Sequence, residues 1–157
     1  MKIMVGQPAP DFSLYDSTRN IVTLSELRGR DILLLFFPAA FSSTCTAELC
    51  SVKDNISVYN HVSATVFGIS VDMVYTLAKF KEDLQLNFSL LSDFNKQVST
   101  AYDCLYNTFS FGMKGVSKRA AFVIDKAGII RYAEVLEKAG DLPDFRAIQR
   151  TLELLNN

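Results

Sequence analysis

The chain is poor in the residues on which much protein chemistry rests. Of its 157 residues one is histidine and three are cysteine, and no two cysteines form a C-x-x-C pair. His61, in the turn-like segment Asn60 to Ser63, leaves a Cys–His nucleophilic pair one candidate and no clear geometry. An odd number of cysteines is not the framework of a disulfide-stapled secreted domain. Cys45, Cys50, Cys104 and His61 make four zinc ligands on paper, but no spacing fits a zinc ribbon or finger. Sixteen basic and 17 acidic residues give a net charge of -1 with no basic run, so neither nucleic acid nor an anionic membrane is indicated as a partner. The longest apolar run, Ile32 to Phe37, ends at Pro38, far short of the roughly 20 residues a bilayer crossing needs. The opening MKIMVGQPAP has one Lys and no apolar stretch of signal type. The expectation is a soluble, cytoplasmic protein folding as one domain over residues 1–157.

What is present alternates between strand and helix patterns. Phe12 to Tyr15 and Ile21 to Leu24 flank a turn-rich segment and predict a hairpin. Ile32 to Phe37 suits a central strand covered on both faces. Cys45, Leu49, Val52, Ile56 and Tyr59 step at helical spacing, predicting one amphipathic helix over Ser43 to Asn60. Ala64 to Val71 is a second buried strand, and Asp72 is placed to cap a helix burying Leu77, Phe80 and Leu84. A short strand over Phe88 to Leu91, a helix over Asn95 to Cys104 and a long loop over Leu105 to Ser117 follow. Ala120 to Ile124 and Ile129 to Val135 form a hairpin, and Pro143 opens a last helix with Phe145, Ile148, Leu152 and Leu155 on one face. This order predicts an α/β fold of thioredoxin-like type, with a central mixed β-sheet flanked by helices and an N-terminal hairpin extension.

The segment PAAFSSTCTAELC, Pro38 to Cys50, joins the central strand to the first long helix. A strand that feeds a helix through such a loop presents free backbone N–H groups at its carboxyl edge, where α/β proteins bind ligands. Cys45 falls in the helix's first turn, where the positive end of the macrodipole favours a thiolate, and Ser42, Ser43 and Thr44 add hydroxyls. Position alone leaves an inert, buried Cys45 equally open. Cys50 lies off the apolar stripe. Residues five apart in a helix have Cα atoms roughly 8.6 Å apart. A disulfide spans at most about 7 Å, so Cys45 and Cys50 pair only if the first turns unwind.

At these residues the sequence resembles the peroxiredoxins, thiol peroxidases of the AhpC/TSA group. The pattern P-x-x-x-T/S-x-x-C stands as Pro38 to Cys45, with Ser42 at the hydroxyl position. VGQPAPDFSL, LSELRG, VFGISVD, LLSDF and KRAAFVIDKAGIIRY resemble further family blocks in the family's order. The resemblance implies that Cys45 is the peroxidatic cysteine, that Pro38 shields it, that Ser42 and Arg119 bind the peroxide, and that Glu48 orients Arg119. CTAELC is similar to the bacterioferritin-comigratory (PrxQ) type, in which the second cysteine, here Cys50, resolves the first. PAAFSSTC and LLSDF are similar to the one-cysteine alkyl hydroperoxidase E type. Cys104 fits neither pattern: packing and a second resolving thiol both stand open.

The implied activity is reduction of hydrogen peroxide or an organic hydroperoxide through a sulfenic acid on Cys45, resolved by Cys50. The implied partners are the hydroperoxide and thioredoxin or another dithiol or thiol reductant, with no metal or organic cofactor. By analogy with relatives that pair beside the active site, a homodimer is a further expectation. The rival readings are a one-cysteine peroxidase, a peroxide sensor or redox relay, a disulfide oxidoreductase of the same fold and a structural or chaperone-like oligomer.

Overall fold

The computed structural model describes residues 3–156. Strands β1 (Ser13–Tyr15) and β2 (Ile21–Thr23) pair antiparallel as a hairpin of their own. Asp16 builds its turn, Oδ1 accepting from the amides of Thr18 and Asn20. The main sheet comprises β3 (Asp31–Phe36), β4 (Ala64–Ser70), β5 (Ser89–Ser92), β6 (Arg119–Ile124) and β7 (Ile130–Leu136), in the order β5-β4-β3-β6-β7. It is mixed: β3, β4 and β5 run parallel, while β6 is antiparallel to both β3 and β7. Helices α1 (Ser43–Asp54), α2 (Ile56–His61), α3 (Val74–Leu84), α4 (Gln97–Ala101) and α5 (Phe145–Leu155) flank it, giving the expected α/β arrangement.

Strand β3 is buried along its whole length because both faces are covered. The two-residue period divides the core in two. Leu33, Leu35, Ala121 and Val123 face one side, with Cys45 and Leu49 of α1, Leu77 and Phe80 of α3, and Ile148 and Leu152 of α5. Leu34, Phe36, Ala120 and Phe122 face the other, with Phe12, Tyr102 and Cys104. Gly68 of β4 allows the close approach of neighbours on the first side: a Cβ there would stand 2.7 Å from Leu90 Cδ2 and 3.3 Å from Phe37 Cε1.

Helix ends depart from the expectations for local reasons. The helix predicted over Ser43 to Asn60 is interrupted at Asn55, whose side-chain amide donates to Ser51 O at 2.8 Å while its own N–H turns to Ser51 O and Val52 O. Such side-chain competition ends α1, yet the apolar stripe continues through Ile56 to the buried Tyr59. His61 closes α2 rather than standing in a turn. Asp72 does not cap α3; Met73 holds that position, and the Asp72 carboxylate accepts instead from Ala40 N at 2.8 Å and the Ser70 hydroxyl at 2.7 Å. Helix α4 is confined between left-handed Lys96 (φ 64°) and Asp103 (φ 51°), and Asp93 satisfies the amides of Val98 and Ser99 at 3.1 and 2.6 Å. Pro143 precedes α5, which is capped by Asp144 accepting from Ala147 N at 3.1 Å. Among the described residues no helix is long and apolar enough to cross a membrane.

Candidate active site

The loop after β3 aims the start of α1 at the first core. Pro38 is buried, and Ala40 is pinned to the end of β4 by the Asp72 carboxylate. Phe41 takes a left-handed conformation, φ 69°, uncommon for a bulky residue, and lays its half-exposed ring on Phe80 with centroids 5.1 Å apart. Strain of this kind collects at functional loops. Ser42 is the N-cap residue, but its hydroxyl donates to Ala39 O at 3.0 Å and accepts from no amide of the helix. The helical ladder begins with Thr46 N donating to Ser42 O at 2.9 Å. The amides of residues 43–45 precede it, the orphan donors of any helix start. Cys45 sits among them in the first turn, 0 % exposed.

Glu48 follows Cys45 by three residues and so shares its helical face. Opposite them, Arg119 opens β6 and alternates with Ala121 and Val123 on the side of the sheet that α1 covers. One guanidinium nitrogen of Arg119, Nη1, donates to Cys45 Sγ at 3.3 Å and to Glu48 Oε1 at 2.7 Å. The other, Nη2, donates to the carbonyl of Ala139 at 2.9 Å. Arg119 and Glu48 are 1 % and 0 % exposed. Arg119 Nε and Glu48 Oε2 are buried with no partner among the described residues, so a donor and an acceptor stay unspent inside the site.

Burial pushes the Glu48 carboxyl up to about 7 against the pull of the Arg119 guanidinium. For Arg119 burial acts downward but is outweighed by Glu48 and Cys45, so its ordinary value is raised and it stays cationic. Near neutrality the site therefore holds a fixed positive charge on Arg119 beside the sulfur, and a carboxyl that gains or loses a proton.

The three cysteines are free thiols in different surroundings. Cys50 is half-buried on α1, within the same helix as Cys45. Cys104 lies in the second core, across the sheet from Cys45, and burial with the Asp93 and Asp103 carboxylates drives its thiol far up. It packs in that core, fully buried, on the opposite face of the sheet from Cys45. The site also uses groups that the sequence does not advertise. Asp72 reads as a helix cap, and a backbone carbonyl such as that of Ala139 leaves no trace in the residue type.

Residues 5–133 match the AhpC/TSA family. Over 145 residues, 90% of this chain and 91% of the relative, the sequence is 37% identical to alkyl hydroperoxide reductase E of Mycobacterium tuberculosis. The crystal structure of peroxidoxin BcpB from the same organism is similar with a TM-score of 0.85 and 30% identity, 97% of each chain being covered. That of the bacterioferritin comigratory protein of Xanthomonas campestris is similar in fold, with a TM-score of 0.82 and 20% identity over 93% and 92% of the two chains. The family match and these relatives define a thiol-based redox enzyme. The chain belongs to the AhpC/TSA family, and is a peroxiredoxin, a thiol-dependent peroxidase.

Proposed function

We propose that Cys45 is the peroxidatic nucleophile of a two-cysteine cycle in which Cys50 resolves the oxidised sulfur. The observation that carries this reading is Arg119 Nη1, which donates at once to Cys45 Sγ and Glu48 Oε1 in a site closed to solvent. The thiolate attacks the terminal oxygen of the hydroperoxide, the S–O bond forms as the O–O bond breaks, and the leaving alkoxide or hydroxide takes a proton to become alcohol or water. Arg119 and the orphan amides at the start of α1 are preorganised donors for the charge that builds on the oxygens. Ser42 is carried in this reading as a further donor, its hydroxyl exchanging Ala39 O for the peroxide. Buried Pro38 holds water off the sulfur. Because Cys45 has no exposed surface, the peroxide enters by local displacement of this loop and first turn.

Cys50 then condenses with the sulfenic acid, releasing water and forming a disulfide, which thioredoxin or another dithiol reduces by exchange. Both cysteines lie in the unbroken helix α1, so this step requires its first turns to unwind. The same observation favours a second reading, the one-cysteine cycle, in which an external thiol attacks the sulfenic acid directly. The two separate when reduced protein is mixed with one equivalent of peroxide and its cysteines are mapped by mass spectrometry. A Cys45–Cys50 bridge supports the first, trappable sulfenic acid on Cys45 the second, and an unmodified Cys45 refutes both.

A further inference from the structure

Arg119 is not held by Glu48 alone. Its Nη2 rests on the carbonyl of Ala139, in the connection between β7 and α5, and this connection is itself tied down from outside the site. The phenol of Tyr106 donates to the carbonyl of Glu137 at 2.8 Å, two residues before Ala139. Lys118, next to Arg119, reaches the Glu137 carboxylate at 2.9 Å and lies 5.8 Å from the Tyr106 ring centroid. Tyr106 belongs to the long loop between α4 and β6, which is pinned by its own pairing. Leu105 bridges Ser117, Tyr106 N donates to Val116 O at 2.8 Å and Gly115 N to Tyr106 O at 3.1 Å. The Tyr106 ring also stacks near Phe109, centroids 5.1 Å apart. A continuous chain of contacts thus runs from the loop hairpin through Tyr106, Glu137 and Ala139 to the guanidinium on the sulfur. Burial, then the Glu137 carboxylate, raise the phenol above its ordinary value, so it keeps its proton and its role as donor at neutrality.

We infer that Tyr106 is a positioning residue for the peroxidase reaction: by clamping the segment Glu137 to Ala139 it fixes Arg119 Nη2, and so sets the aim of Nη1 at Cys45. This rests on Cys45 being the nucleophile. A guanidinium is a planar fork, so a carbonyl gripping one nitrogen restricts the direction of the other. Small misplacements of such a donor lower rates steeply. Tyr106 touches neither sulfur nor peroxide and acts only through backbone it immobilises.

Tyr106→Phe keeps the ring and its packing on Phe109 and removes one hydroxyl, so the chain still folds. Two second-order rates at Cys45 are compared by rapid mixing in wild type and variant, one with peroxide and one with iodoacetamide, which needs no two-oxygen binding. The expected result is a fall of about tenfold in the ratio of peroxide to alkylation rate, the scale of one well-placed hydrogen bond, with shifted guanidinium NMR signals of Arg119. An unchanged ratio overturns the inference, as does an equal loss of both rates with a lowered melting temperature. Should the wild type itself fail to react with peroxide, the functional reading falls, and Arg119 signals unmoved in the variant would then sink the clamp separately.

Discussion

Glu48 and Arg119 place a carboxyl and a guanidinium, both shielded from water, beside one sulfur. Burying a carboxylate costs more than this single partner returns, which is why the Glu48 carboxyl rises to about 7. A carboxyl raised on folding stabilises the native state fully below its unfolded value of 4.5, and that contribution is lost as pH rises through about 7. Urea unfolding should therefore show the wild type losing stability relative to Glu48→Gln between these two values, by at most about 3 kcal/mol. A difference that grows in the opposite sense would contradict the assignment. The residues at 38, 42, 45, 48 and 119, and the meeting of Arg119 with Glu48 and Cys45, were legible only through resemblance to a family pattern; composition and spacing alone do not give it. Arg119 is 74 positions from Cys45, and one sequence gives no sign that an arginine at a strand's start turns inward. Cys104 could not be placed either, because its isolation depends on which face of the sheet it occupies.

At the scale of elements, the proposed two-cysteine cycle places its conformational demand on α1. Its first turn follows a left-handed Phe41 and lacks a side-chain cap, two features that lower the cost of opening it. Hydrogen exchange should show the amides of residues 46–50 losing protection when peroxide oxidises the protein, while β3 amides stay protected. Equal protection in both states would rule out unwinding and leave the one-cysteine cycle. Strand β4 makes a different demand, since Gly68 admits Leu90 and Phe37 at contact distance. Gly68→Ala should cost roughly 1–3 kcal/mol by overpacking, read as a lowered melting temperature. The strands were legible because apolar runs and two-residue alternation mark burial directly. The break at Asn55 and the starts of α3 and α5 were not, because the hydrogen bonds of Asn55, Asp72 and Asp144 decide them without changing the apolar period.

In the whole molecule, the five-stranded sheet separates two cores, and the proposed reaction belongs to one of them. The first holds Cys45 together with Leu49, Leu35 and Phe37, and the buried pair of Glu48 and Arg119 meets it at the sulfur. The second, with Tyr102 among Phe12, Phe36 and Phe122, holds Cys104 as packing. The order of elements let the fold class be anticipated, since alternating strands and helices closing in a hairpin and helix leave few topologies. The connections were less legible: the clamp from Tyr106 to Ala139 is made by loops whose sequence shows no period. All of it converges on one sulfur. The most direct test mixes reduced wild type, Cys50→Ser and Cys45→Ser with less peroxide than protein and follows its disappearance within the first turnover. Rapid loss in the first two and none beyond the solvent rate in Cys45→Ser is the predicted result; undiminished consumption by Cys45→Ser would contradict the account.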